Sequence, residues 1–365
     1  MQIAFIINEL ENFAPLAYQE SYDNCGLIVG DASQKCKGIL CTLDATEDVI
    51  REAISLGCNL VVAHHPIVFS GLKKLNGKNY VERAVIAAIK NDIAIYAIHT
   101  NADNIIAGVN DVIANKLGLI DRKILSPKKN LLAKLITFVP TAHLEQVRNA
   151  LFDAGTGNIG NYSEASFSVE GMGTYTPNEK ANPFLGEKGK MHQEAEGRIE
   201  VIFPIYTQRK VIKALKEAHP YEEVAYDIIP LSNDFDQVGS GLIGNLPEAV
   251  SEAELLTQIK SSFGLQVIKH TPLCNKPIKK VALCGGSGSF LIKDAIAAGA
   301  DIYITADVKY HEFFDADGKI VIADIGHWES EQFTVDLLID IISTKFPTFA
   351  VLKSEVNTNS VRYFL

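Results

Sequence analysis

No apolar run in this sequence reaches the roughly 18 residues that a membrane-spanning helix needs. The first residues, MQIAFIINELENF, have no basic start and no small-residue cleavage site, so no signal peptide is expected. Six cysteines (Cys25, Cys36, Cys41, Cys58, Cys274, Cys284) form no Cys-x-x-Cys pair and no dense framework. Reduced thiols in a cytoplasmic protein are the expectation. Lysine and arginine (34) are outnumbered by aspartate and glutamate (44), and they form no block. The resulting net charge of −10 argues against broad binding to a nucleic-acid backbone. It leaves room for a small anionic substrate, because a bound metal reverses the local charge. The 365 residues suffice for two domains or one large one.

The first third alternates strands with helices. GILCTLDA, CNLVVAHH and IAIYAIHT read as strands, and TEDVIREAISLG, VERAVIAAIKND and NDVIANKLGL as helices. This βαβαβ order predicts a mostly parallel sheet with helices on its faces. The last third repeats the scheme: strand KKVALCGG, helix FLIKDAIAAG, strand ADIYITAD, strand GKIVIADIGH, helix ESEQFTVDLLIDIISTKF. REAISLGCNLVVAHH and KDAIAAGADIYITAD correspond in helix, glycine stop and strand. In each half the next strand ends in a histidine with an acid four residues on: His99 and Asp103, His327 and Glu331. The pattern reads as an internal pseudo-repeat whose two related α/β halves meet at one site.

The middle differs. AKLITFVP, AHLEQVRNALFDAG and SFSVEG form one β-α-β unit; RIEVIFPI, TQRKVIKALKEAHP and VAYDIIPL form another. Two such units suggest a ferredoxin-like α+β domain. The expected division is a first α/β half over residues 1–130, the inserted domain over 131–231 and a second half over 232–365. Polar stretches at Ser126-Pro127-Lys128-Lys129 and Ser232-Asn233-Asp234 mark its edges. The Gly/Asn/Pro-rich stretch from Gly171 to Gly197 reads as a long loop.

Chemistry concentrates at strand ends. His64 and His65 follow the apolar run Asn59–Ala63 and precede Pro66, which breaks a strand ladder. In open α/β sheets the carboxyl edge of the strands is where ligands bind. His64, His65, His99, Asp103, His327 and Glu331 all fall at or just past predicted strand ends. His327 and Glu331, spaced i, i+4, share one face of a helix that starts at Gly326. Imidazole with carboxylate suits Zn, Mn or Fe(II), and the set lacks the thiolates of a structural zinc site. Five or six such groups exceed the needs of one tetrahedral ion, whereas two ions about 3.5–4 Å apart would use them all.

Other residues allow two readings each. Asp44 is a partner behind the histidines or a helix-cap residue. Asp23-Asn24 touch substrate or form a turn. Asp307 and His311 occupy the equivalent position of the second half, or are a cap and a surface histidine. CGGSGSF (Cys284 to Phe290) is an anion cradle opening a helix or a tight turn; it lacks the Lys-Ser/Thr of a P-loop and does not match GxGxxG. His219-Pro220-Tyr221-Glu222-Glu223 reads as structural or interfacial.

The segments SYDNCGLIVG, AHHPIVFSG, IHTNAD, KYHEFFDA and IGHWESE, in that order, resemble the YbgI/YqfO group of Nif-three-like dinuclear metal proteins, also labelled GTP cyclohydrolase 1 type 2 homologs. The likeness covers the whole chain. GNIGNYSEASFSVEGMGTYTPNEKANPFLGEKG and AHPYEEVAYDI are similar to the insertion of the longer bacterial members. The resemblance implies a three-layer core of two α/β halves with an inserted domain similar to the CutA/PII-like fold. It implies two divalent metal ions per chain, held by His64, His65, Asp103, His327 and Glu331, with His99 beside them as a neighbour or proton-transfer group. It also implies a toroidal homohexamer, its metal sites facing inward and the inserted domain capping the ring. Ala306 departs from the family pattern, which has glycine before the aspartate, and this puts the role of Asp307 in question.

These features point to a metal-dependent hydrolase acting on a nucleotide or another phosphorylated small molecule, with His99 or His311 moving the proton. Opening the purine ring of GTP is the reaction that the family label suggests. A metal store, insertase or metallochaperone is the non-enzymatic alternative. A regulatory assembly, in which the inserted domain senses a small ligand, is a third.

Overall fold

A computed structural model describes residues 1–364. The chain begins with α1 (Ile3–Phe13), β1 (Gly26–Val29), β2 (Ile39–Asp44), α2 (Glu47–Ser55), β3 (Leu60–His65) and α3 (Tyr80–Lys90). It continues through β4 (Ala94–Ala97), α4 (Thr100–Asp103), α5 (Val109–Lys116) and β5 (Ile120–Lys129). Then come β6 (Leu132–Pro140), α6 (Leu144–Asp153), β7 (Ser166–Tyr175), β8 (His192–Pro204), α7 (Gln208–Ala218) and β9 (Tyr226–Leu231). The last part holds β10 (Asp234–Val250), α8 (Glu252–Ser262), β11 (Lys269–His270), β12 (Ile278–Ser287), α9 (Ile292–Ala297) and β13 (Ile302–Ala306). It closes with β14 (Val321–Asp324), α10 (His327–Glu331), α11 (Thr334–Lys345) and β15 (Val351–Lys353).

The chain divides into two compact units, residues 1–126 with 237–365, and residues 127–236. In the larger unit, one sheet has the order β1-β4-β3-β2-β15 and the other β11-β14-β13-β12-β10-β5. The two share a plan. β2, β3 and β4 are parallel, as are β12, β13 and β14. An antiparallel edge strand, β1 or β11, closes the third strand of each set. The pseudo-repeat read from sequence is therefore a repeat of topology. The halves differ at their other edge: β15 runs parallel to β2, while β10 runs antiparallel to β12.

The central strands β2, β3, β4, β13 and β14 are almost wholly buried on both faces, as sheets covered twice require. Leu40, Val61, Ala63 and Ile95 bury one face of the first sheet beneath α2 and α3. Thr46 caps α2 by accepting from the Val49 amide, and Asn79 caps α3 by accepting from the Glu82 amide. On its other face α11 lies on β2 and β3; α5 lies on β12 and meets α11, so helices fill the space between the sheets. Two clusters, one around Leu255 and Ile259 and one around Ile292 and Ala295, cover the faces of the second sheet.

The smaller unit has the sheet order β7-β8-β6-β9, all antiparallel. With α6 and α7 packed on one face through Val147, Leu151, Val211 and Leu215, this is the ferredoxin-like arrangement. Of His219-Pro220-Tyr221-Glu222-Glu223, the two ring residues bond within this unit, His219 Nε2 meeting the Phe138 carbonyl at 2.9 Å and Tyr221 donating to Glu196 Oε1 at 2.9 Å, while the two glutamates are exposed.

Residues 126–129 form the end of β5, and Asp234 opens β10. Two expectations are corrected. Residues 176–191 of the stretch from Gly171 to Gly197 form a long loop, but its two ends, residues 171–175 and 192–197, are strand, paired as the continuation of β7 and β8 from Gly171↔Glu196 to Tyr175↔His192. Of the glycines in these strands, Gly173 admits the Glu196 side chain, where a Cβ would lie 2.1 Å from Oε2, and Gly197 admits Leu144 of α6. Cys284 to Ser287 continue β12 rather than open a helix.

Gly108 starts α5 and shows how tightly the site's supports are built. A Cβ there would lie 1.8 Å from the Ala102 carbonyl oxygen. The obstacle is backbone, so α4 and α5 would have to part. Asn110 on α5 donates to the Asp103 carbonyl at 3.0 Å and accepts from the Gly285 amide at 2.9 Å. We expect Gly108→Ala to destabilise the larger unit by about 1–3 kcal/mol. A thermal melt should fall by roughly 3–10 °C; an unchanged melting temperature would show that this turn yields freely.

Candidate metal centre

The carboxyl ends of the parallel strands deliver the site. Asp44 ends β2, with His65 as its register partner at the end of β3. His64 precedes it on the same strand, and both rings turn to one cluster, with centroids 4.9 Å apart. The chain leaving β4 brings His99 to the start of α4, and Asp103 to its end. Gly326, with φ of 90°, turns the chain from β14 into α10, which carries His327 and Glu331. His99 lies 5.2 Å from His64 and 5.3 Å from His65, and His327 lies 5.3 Å from His65, ring to ring.

Glu331 sits at the middle and is 3% exposed. Its Oε2 is 3.0 Å from His65 Nε2 and 3.2 Å from His327 Nε2; its Oε1 is 3.8 Å from His64 Nε2. Asp103 Oδ1 is 3.7 Å from His64 Nε2. Three overlapping groups each keep their ligand atoms within 4.8 Å: His64, His65 and His99; His65, His327 and Glu331; His64, Asp103 and Glu331.

Each imidazole is held from behind through Nδ1. The Ile98 carbonyl holds His64 at 2.8 Å, Asp44 Oδ1 holds His65 at 2.8 Å, Asp23 Oδ1 holds His99 at 2.9 Å and Asp307 Oδ2 holds His327 at 2.7 Å. Such partners settle the tautomer and turn Nε2 inward. His64 Nε2, fully buried, has no hydrogen-bond partner, although burying an unpaired polar atom is costly. An orphaned imidazole lone pair among carboxylates fits a divalent cation.

The charges follow this geometry. Burial disfavours charge on Glu331, but hydrogen bonds from the surrounding histidines prevail and hold its carboxyl well below the usual range. Burial also opposes charge on His65 and His327, yet their carboxylate partners raise them to about 9 and about 11. Burial pushes the Asp103 carboxyl up, against the pull of His64 and His99. For Asp23, burial is outweighed by hydrogen bonds from His99, Thr100 and Cys25, which lower it. Burial, with Asp103 and Glu331 nearby, pushes the Cys284 thiol up.

His64, His65, His99, Asp103, His327 and Glu331 thus come together. His311 does not. It sits on the 3₁₀ turn Tyr310–Ala316, exposed and stacked on Phe314 at 6.3 Å, outside the cavity that the cluster floors. That turn carries it away from the end of β13, so it is not positioned to exchange a proton there. Ala306 does not disable Asp307: Asp307 itself takes the left-handed conformation, φ 54°, and reaches His327. The glycine run serves Glu331 instead of an anion. A Cβ on Gly286, where φ is 59°, would lie 2.3 Å from Glu331 Oε1.

Sequence reasoning missed the tail after β15. Thr358 donates to Asp44 Oδ2 at 2.6 Å and accepts from Trp328 Nε1 at 3.3 Å, so the tail steadies the carboxylate that orients His65. Its polar residues show no periodicity, and only the presence of Thr and Asn hinted at bonding.

The cavity over the cluster has a volume of about 820 Å³. The model of the Duf34/NIF3 (NGG1p interacting factor 3) family matches residues 1–360. The chain belongs to the Duf34/NIF3 family. Among curated Duf34/NIF3 relatives named "GTP cyclohydrolase 1 type 2 homolog", that of Halalkalibacterium halodurans is 41% identical over 88% of this chain and 87% of its own. That of Bacillus subtilis is 38% identical over 88% and 87%. A crystal structure of a Bacillus cereus protein related to NIF3 superposes with a TM-score of 0.88 at 38% identity, covering 100% of this chain and 99% of that one. Protein ybgI shares the fold, with a TM-score of 0.60 at 15% identity over 98% and 99%. Among the described residues no helix is long and apolar enough to cross a membrane.

Proposed function

We propose that this Duf34/NIF3 protein is a dinuclear metal-dependent hydrolase of nucleotides or related small molecules. The observation that supports this best is the buried, unpartnered His64 Nε2, facing two carboxylates beneath an 820 Å³ cavity. His64, His65, Asp103, His327 and Glu331 would hold two Zn, Fe or Mn ions, since imidazole and carboxylate accept any of these. Bound there, such ions supply Lewis acidity and make water acidic enough to ionise near neutral pH. Glu331 and Asp103 balance the charge; Asp44 and Asp307 keep two imidazoles facing inward. His99 acts as the general acid–base. Asp23 fixes its Nδ1, leaving Nε2 free to take a proton from the nucleophile and return it to the leaving group.

Elemental analysis and a nucleotide hydrolysis screen on the same preparation test this. About two ions per chain and turnover are expected. His99→Gln should keep the metal yet lose activity about 100-fold. Bound metal without turnover across the screen would overturn the hydrolase reading and favour a metal store or insertase. Absence of metal uptake would overturn the centre itself.

A further inference from the structure

The cavity wall next to the cluster is aromatic and poor in cations. Tyr22 and Phe69 line it, 63% and 50% exposed, with ring centroids 6.3 Å apart and planes 45° from parallel. Neither is a stray surface ring. Tyr22 directly precedes Asp23, the residue that orients His99, and Phe69 lies four residues beyond His65. Asn24 Nδ2 donates to the Val68 carbonyl at 2.6 Å, which ties the two ring-bearing loops together. An apolar pair held open to a polar cavity is surface that a ligand can cover.

The charges restrict that ligand. Among the described residues Lys269 is the one lysine or arginine that lines the cavity, and its ammonium is committed to Asp324 at 2.6 Å. Glu20, Asp44, Asp307 and Glu329 add negative charge around the acids of the cluster. A polyphosphate would find no spare cation beyond the metal ions and would face these carboxylates. An organic cation would be repelled by the ions. What remains complementary is a flat, uncharged ring with N–H groups that donate to the carboxylates and a π-face that stacks on the wall.

Building on the metal-hydrolase reading, we propose that Tyr22 and Phe69 form a stacking wall for an uncharged nitrogen heterocycle of the nucleobase class, and that the site recognises this ring rather than any phosphate attached to it. A nucleoside is then as good a ligand as its triphosphate.

The test uses the full-length protein loaded with zinc, titrated calorimetrically with guanosine, GTP and inorganic tripolyphosphate at one ionic strength, with metal content measured on each sample. Guanosine should bind at least as tightly as GTP, and tripolyphosphate at least roughly tenfold more weakly. Tyr22→Ala and Phe69→Ala, both surface changes, should each weaken guanosine by roughly 5- to 100-fold at unchanged metal content, the loss expected for one stacked base. Tyr22→Phe, which keeps the ring, should retain wild-type binding. Tighter binding of tripolyphosphate than guanosine, no guanosine binding, or full affinity in both alanine variants would overturn the proposal. Guanosine binding that depends on Tyr22 and Phe69 in protein that takes up no metal would uphold the wall and sink the metal reading alone.

Discussion

Glu331→Gln is expected to strip the centre of metal. Its carboxylate is the one group that approaches three imidazoles at once, through Oε1 toward His64 and Oε2 toward His65 and His327. The amide keeps the shape, loses the charge, and presents a donor to nitrogens that should offer lone pairs. Outer partners of metal ligands already cost 10–100-fold in affinity when removed, so a central ligand should cost at least about 100-fold. Metal content after gel filtration should fall from about two ions per chain to near none, and hydrolysis with it. Glu329→Gln is the control. It lies on the same short helix but is bound to Asn359 at 3.0 Å, outside the cluster, and should leave metal content unchanged. Two ions retained in Glu331→Gln would remove Glu331 from the centre.

Metal uptake should release about two protons per chain near pH 7.5. With no ion bound, His65 and His327 hold protons well above neutrality, at about 9 and about 11, because each aims Nε2 at Glu331 and Nδ1 at a second carboxylate. An ion can use those lone pairs only by displacing the protons. Apparent affinity should therefore rise roughly 100-fold per pH unit from about pH 7 to 9, then less steeply once His65 has lost its proton. The stability of metal-free protein should run the other way. Both histidines are raised above their unfolded value, so their contribution is full below about pH 6.5 and is lost as pH climbs through about 9 and then about 11. Calorimetry in buffers of different ionisation enthalpy counts the protons, and zero released at pH 7.5 would mean that the histidines are neutral before metal arrives.

Legibility followed the strength of local pattern. α2, α3 and α5, with regular apolar spacing and clear stops, lie where the periodicity puts them. SFSVEG and RIEVIFPI read as the strands they form in β7 and β8, but the continuation of the hairpin through residues 171–175 and 192–197 did not, because its glycines mimic a loop and β7 is almost wholly exposed. β5 and β10 begin or end in polar residues for the same reason: local composition reports solvent exposure, and a paired backbone does not require apolar side chains. The cluster was legible because His64 and His65 end β3, His99 and His327 follow β4 and β14 within three residues, and each of the latter two has an acid four residues on; strand ends are marked by where apolar runs stop. His311 carried the same residue type in an equivalent stretch, but nothing local indicated that its 3₁₀ turn faces away.

By itself the sequence determined the two parallel α/β halves, the inserted β-α-β pair and the six histidine and acid positions at or beyond the strand ends. Periodicity and breakers are properties of neighbouring residues, which is why they could be read. The tertiary structure decided which acceptor stands behind each imidazole. Asp23 to His99 spans 76 residues, Asp44 to His65 spans 21, and Thr358 to Asp44 spans 314. It also decided that Glu331 meets histidines 266 residues away and that His64 keeps a lone pair without a partner. Those facts depend on how the two sheets and the tail close over one another, and hydrogen bonds over such separations leave no trace in local spacing.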